Sequence, residues 1–288
     1  MTLIIQSIVD GVLMGGIYGL VALGLTLIFG VMKIINFAQG ALLMLGMYVS
    51  YWAFTLYGIN PYLSIPLSAI TLFIVGVFIQ KTILNKMLNA PEHNQLLVTL
   101  GIMLIIENLA LLFWSPDFRS VDLEGLQSTI NIGEIGVNTP KLIAFVFAIT
   151  LALALFWFLK YTMIGKAIRA TSMNRQGAAL SGINTNRINY IAFGLGAALA
   201  GIAGSLITPF FYTSPTVGAT FILKGFVVVV LGGLGNFIGA IVGGLIIGIS
   251  EALGGAFLPG SLKELVTYLI FIIILMVKPN GLFGRKSL

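Results

Sequence analysis

Long apolar stretches separated by short polar breaks organise the chain, with runs near residues 8–31, 37–57, 61–80, 95–114, 141–159, 190–208, 224–250 and 262–277. About 20 apolar residues cover roughly 30 Å of hydrocarbon as a helix, and these runs approach or exceed that length. Backbone groups in lipid must find partners within their own segment, which makes the runs helices. The strict alternation of a membrane β-barrel is absent. The pattern predicts an all-α, polytopic membrane helical bundle with about eight hydrophobic segments, some broken or re-entrant, forming one domain over residues 1–288. No Lys or Arg precedes the first run, which extends to about Val31, so it reads as a mature membrane helix rather than a cleaved signal.

Composition agrees: 58% of the 288 residues are hydrophobic and 8% are charged, with a mean hydropathy of +1.07, whereas soluble domains are about a quarter charged. The chain has no cysteine and one histidine, His93. Disulfides and thiolate chemistry are thereby excluded, and no metal site is expected.

A net charge of +6 raises nucleic acid as a partner, but its placement points to membrane topology. Residues 160–189 carry Lys160, Lys166, Arg169, Arg175 and Arg187 with no carboxylate, and the tail carries Lys278, Arg285 and Lys286. Short basic loops stay in the cytoplasm. Residues 115–140 hold Asp117, Asp122, Glu124 and Glu134 against Arg119 alone, which puts that segment outside. Alternation from a cytoplasmic loop at 81–94 places the N-terminus outside as well.

These sides leave a parity conflict, because two apolar runs follow the outward span 190–208 and the tail must end inside. It disappears if 224–250 enters from outside and returns. Gly232-Gly233-Leu234-Gly235-Asn236 interrupts that run, and neither flank taken alone is long enough to cross. Irregular backbone at depth lines a wet cavity or is buried in protein, so Gly233, Gly235 and Asn236 are predicted to border a translocation path. A similar break, Lys33 to Gly40, puts Asn36 and Gln39 between apolar runs. Broken helices in two halves are a sign of a transporter binding region.

Three further features carry chemistry. Gly11, Gly15 and Gly19, with Gly235, Gly239, Gly243, Gly244 and Gly248, are spaced for close helix packing. Glu107, with Asn108 beside it, sits inside an apolar run, where a charged carboxylate costs on the order of 3 kcal/mol. Facing the bundle interior near the path and bonding structurally to another helix are the two ways to hold it. The basic loop predicts a cytoplasmic helix over 166–180 stopped by Gly182. No G-x-x-x-x-G-K-[ST] phosphate loop is present, so nucleotide hydrolysis belongs to another chain.

Several ordered motifs resemble one family. They are Gly19-Leu20-Val21-Ala22-Leu23-Gly24-Leu25-Thr26, Ile35-Asn36-Phe37-Ala38-Gln39-Gly40, Gly165-Lys166-Ala167-Ile168-Arg169-Ala170, Ala178-Ala179-Leu180-Ser181-Gly182-Ile183-Asn184 and Val230-Leu231-Gly232-Gly233-Leu234-Gly235. Along nearly its whole length the chain is similar to the LivH-type permeases of branched-chain amino acid ABC importers, although Gln39 stands where the family usually has histidine. The resemblance implies a multi-pass subunit of the bacterial inner (cytoplasmic) membrane that forms half of a translocation path. A second homologous permease, two ATP-binding subunits and an extracytoplasmic solute-binding protein would be its partners, besides the lipid bilayer. ATP would be hydrolysed by those partners, with no cofactor on this chain and no nucleic acid bound. It also implies that 160–189 is the coupling loop, with Gly165, Arg169, Ala178, Ala179 and Gly182 meeting an ATPase. Urea or short-chain amide permeases are the nearest alternative, and an ion-coupled secondary transporter the main one from another class.

Overall fold

The computed structural model describes residues 2–88, 90–122, 129–258 and 262–284. Glu124, Arg285 and Lys286, used above to assign sides, lie outside the described residues. Eleven helices follow in order among the described residues: α1 Thr2–Met32, α2 Ala38–Tyr57, α3 Ile65–Thr82, α4 Glu92–Trp114, α5 Thr139–Tyr161, α6 Met163–Met173, α7 Arg175–Leu180, α8 Thr185–Ile207, α9 Val217–Gly232, α10 Phe237–Phe257 and α11 Leu262–Val277. Seven of them have the length and apolarity to cross a membrane. Each predicted run therefore contains a helix, with ends displaced by a few residues.

Burial sorts the helices. The membrane-length windows of α1 and α8 are each 83% buried, against 22–28% for α3, α4 and α5. Glycine explains how the centre closes. α1 runs antiparallel to α10, and a Cβ on Gly15 would meet Gly244 O at 2.8 Å and Leu245 Cα at 2.8 Å. Lipid supplies no hydrophobic drive between helices, so this backbone approach supplies dispersion contact instead. Gly46 of α2 meets Gly201 of α8 in the same way.

Contacts beyond the helices identify the two ends. At one, Gln6 donates to Gly136 O (2.7 Å) and accepts from Gly136 N (2.9 Å), while Lys141 pairs with Asp10 at 3.3 Å. Gly136 belongs to a small antiparallel hairpin, β1 Thr129–Ile132 and β2 Ile135–Asn138, that the sequence reading did not anticipate. Arg119 and Thr213 exchange backbone hydrogen bonds at 2.9 and 2.7 Å. The start of α1 thus shares an end with the acidic segment, as alternation requires. At the other end the C-terminal turn docks on the α9–α10 connection, with Leu282 N donating to Leu231 O (2.8 Å) and Phe283 N to Gly232 O (3.2 Å).

The parity conflict is resolved by the break at 233–236, but one expectation needs correction. α10 has 21 residues, about 31 Å, and is long enough to cross by itself, while α9 has 16, about 24 Å. The apolar run starts at Lys224 and stops at Ser250, next to Glu251, but α9 begins before Lys224 and α10 continues past Glu251, and these two charges pair with each other inside the bundle.

Candidate functional site

The first break is an extended stretch that begins at Lys33, whose φ is +59°, and ends where α2 starts. The Thr99 hydroxyl of α4 accepts from Phe37 N (3.3 Å) and donates to Ile35 O (3.1 Å), replacing the partners that a helix would supply. Asn36 and Gln39 are 1% and 0% exposed. Asn36 Oδ1 accepts from Ala38 N (3.2 Å), its Nδ2 donates to Gln39 Oε1 (3.3 Å), and Gln39 Nε2 donates to Gly196 O (2.9 Å). Gln39 thus ties α2 to α8, while Asn36 caps the start of α2 and holds the Gln39 amide.

The second break is a tight turn. Gly233 and Gly235 have φ of +102° and +83°, where other residues are strained. Asn236 caps α10 by accepting from Gly239 N (3.0 Å) and donates to Phe283 O (3.0 Å). It therefore clamps the turn to the C-terminal segment, and the structure does not bring it together with Asn36 and Gln39.

Glu107 and Asn108 depart from the interior position expected for them. Ile102, Met103, Ile106, Ala110 and Trp114 face the bundle, so helical geometry leaves Asn108 outward and Glu107 at the flank of that face. Asn108 Nδ2 donates to Leu104 O of its own helix (2.8 Å). Glu107 Oε1 is buried and has no hydrogen-bond partner among the described residues.

The strongest intramembrane polar cluster was missed by sequence reasoning. Lys224 of α9 pairs with Glu251 of α10 at 2.5 Å, and Tyr18 of α1 donates to Glu251 Oε2 (2.8 Å) while accepting from Lys224 Nζ (3.1 Å). The two charged side chains are 11% and 13% exposed. Each ion neutralises the other and the phenol fills a remaining valence, which is how charge survives at membrane depth. The legible signal was an unremarked cation and carboxylate at the two edges of one broken apolar run.

The predicted single helix over 166–180 is two. Thr162 starts α6 by accepting from Gly165 N (3.0 Å), and Asn174 interrupts it and caps α7 by accepting from Gly177 N (2.9 Å). An Asn that bonds a nearby backbone N–H competes with helix continuation, which is why the segment bends there. Gly182, at φ +82°, ends α7 with Ile183 N donating to Ala178 O (3.0 Å). Gly165 and Ala178 pack inward, while Arg169, Ala179 and Gly182 are exposed. Met173 and Leu180 are 77% and 90% exposed beside Arg169 and Arg175.

Residues 7–275 match the family model described as branched-chain amino acid transport system, permease component. The chain belongs to this permease family. It is 32% identical, over 98% of its length and 96% of the relative's, to the high-affinity branched-chain amino acid transport system permease protein LivH of Salmonella typhimurium. Similarity to the corresponding permease BraD of Pseudomonas aeruginosa is 28% over the same shares. A more distant likeness, 34% over 40% of the chain, is to the ribose import permease RbsC of Escherichia coli. No solved structure matches. The family places this chain among ABC transporter permeases and makes it a transport subunit, multi-pass in the inner membrane.

Proposed function

We propose that this permease carries branched-chain amino acids as one half of a translocation path, the other half coming from a second homologous permease. Two separate ATP-binding subunits supply the power and an extracytoplasmic solute-binding protein delivers the solute. ATP stays with those subunits, because this chain has no phosphate loop and needs no cofactor of its own. The observation that carries the reading is the α6–α7 segment. It joins two spans, bears only positive charge, and exposes Met173 and Leu180 among cations, which suits an apolar knob entering a groove on an ATPase. Gly165 and Ala178 hold it against the bundle, and Arg169, Ala179 and Gly182 face the partner.

The path in this reading runs along the outward side of α4, past Glu107 and Asn108, where the second permease closes it. Asn36, Gln39, Gly233, Gly235 and Asn236 maintain the two breaks that shape the bundle behind it. Since Gln39 is consumed by a backbone carbonyl, its replacement of histidine gives no support to an amide or urea substrate.

Proteoliposomes holding the full complex test the reading: uptake of leucine, isoleucine or valine should require ATP and the binding protein. Uptake by this chain alone under an ion gradient would defeat it. Arg169→Glu combined with Gly182→Pro should abolish solute-stimulated ATPase activity, or release the ATPase subunits on purification in mild detergent.

A further inference from the structure

α5 has 23 residues, about 35 Å, against roughly 30 Å of hydrocarbon, so its last turn lies at headgroup level. The exposed side of that turn gathers donors. Trp157, Lys160 and Tyr161 stand three and four positions apart and share one face of the helix. Trp157 and Tyr161 are 60% and 57% exposed, with ring centroids 6.2 Å apart. Lys160 Nζ lies 5.2 Å from the Tyr161 ring centroid and 5.9 Å from that of Phe156. The ammonium, the indole N–H and the phenol hydroxyl all donate, and no acceptor among the described residues meets them.

Charge at this corner has one sign. Between Glu134 and Glu251 the sequence holds no carboxylate, and the ion pairs among the described residues lie elsewhere, at Asp10 and Glu251. A second cation is added instead, because Arg169 Nη2 donates to Lys160 O (3.3 Å). An exposed lysine ordinarily extends into water and needs no partner, but here ring faces hold it down on the membrane surface of α5. One turn deeper the same surface continues as Leu153 and Phe156, 63% and 48% exposed. α5 packs on α1, α6 and α8, while α4, whose outward side takes the second permease, packs on α2. Lipid is therefore the neighbour of this face of α5.

Any phospholipid offers phosphate oxygens to such donors. A zwitterionic one also brings a cationic headgroup beside Lys160 and Arg169, with no carboxylate to receive it, whereas an uncharged glycerol headgroup leaves the phosphate free to neutralise them.

We infer that the end of α5 is a binding site for an anionic phospholipid. Its phosphate accepts from Lys160, Trp157 and Tyr161, and an acyl chain lies along Phe156 and Leu153. One guanidinium nitrogen of Arg169 is used at this corner, and the remaining N–H groups stay with the surface that meets an ATPase.

The tryptophan count supplies the probe. Trp52→Phe with Trp114→Phe leaves Trp157 as the sole tryptophan of the full chain, and bromine on the acyl chains of lipids that touch it quenches its fluorescence. The chain is reconstituted in phosphatidylcholine holding the same small fraction of either dibrominated phosphatidylglycerol or dibrominated phosphatidylcholine. Brominated phosphatidylglycerol should quench as though about fivefold more concentrated, the preference that one nearby cation confers. Lys160→Gln should abolish that preference and Lys160→Arg should keep it. Lys81→Gln, which removes an exposed cation from the end of α3, should also keep it. Equal quenching by the two lipids with Lys160 in place would overturn the site. So would an equal loss in Lys81→Gln, because the preference would then come from the overall charge of the chain. Vesicles made wholly of brominated phosphatidylcholine should quench every variant alike, which shows that each is folded and inserted. Absence of quenching there would give the face to protein instead of lipid and also overturn the inference.

Discussion

Two intramembrane carboxylates of this permease receive opposite treatment. Glu251 is sealed among three helices with a cation and a phenol for partners, whereas Glu107 sits at the side of a peripheral helix with one oxygen buried and unpaired. The difference follows from position. α1, α9 and α10 converge where glycines let backbones touch, so a lysine and a glutamate from separate helices can meet. α4 buries only 22% of its membrane-length window and has no such neighbour on its outer side. Among the described residues of the peripheral helices α3, α4, α5 and α11, Glu107 is the carboxylate in mid-span. Glu251 therefore holds one bundle together, and Glu107 awaits something from outside it.

Removing one partner of the sealed pair is the harshest way to break that contrast. Lys224→Leu strands Glu251 without its cation, and should cost about 3–5 kcal/mol and most of the folded protein in the membrane, read from thermal unfolding in detergent and from the yield. Lys224→Leu with Glu251→Leu should recover most of that loss, because two apolar side chains replace an already neutral pair. If the double variant is as unstable as the single, the cluster does more than pair charge. Tyr18→Phe deletes one hydroxyl and should cost about 1–2 kcal/mol by the same melt. Glu107→Leu should leave the melt within about 0.5 kcal/mol of wild type while lowering ATP-driven uptake in proteoliposomes. Unchanged uptake would remove Glu107 from the path.

Most of the fold was legible in hydropathy, because lipid forces every long apolar run to satisfy its own backbone. The glycine periodicity of α1 and α10 marked each as a close-packing face, and the structure adds that the two faces meet each other, antiparallel. Legibility failed where polar residues found distant partners. Lys224 and Glu251 read as the ends of a run since nothing local reveals that each meets the other across a hairpin turn. Asn36 and Gln39 were legible as amides at a break between apolar runs, but their partners were not, since these include a carbonyl 157 positions away. Asn174 is a capping type, but the loop helix was read through it because alanines on both sides, and Leu180 after it, favour continuation.

The sequence by itself determined that the chain spans the membrane repeatedly and where its two long apolar runs break, at Lys33–Gly40 and Gly232–Asn236, since each depends on local hydropathy, local charge or glycine. Only the tertiary structure decided which polar side chains are spent on the protein and which remain available. That outcome depends on what lies across the bundle: a facing cation for Glu251, a backbone carbonyl for Gln39, and nothing yet for Glu107.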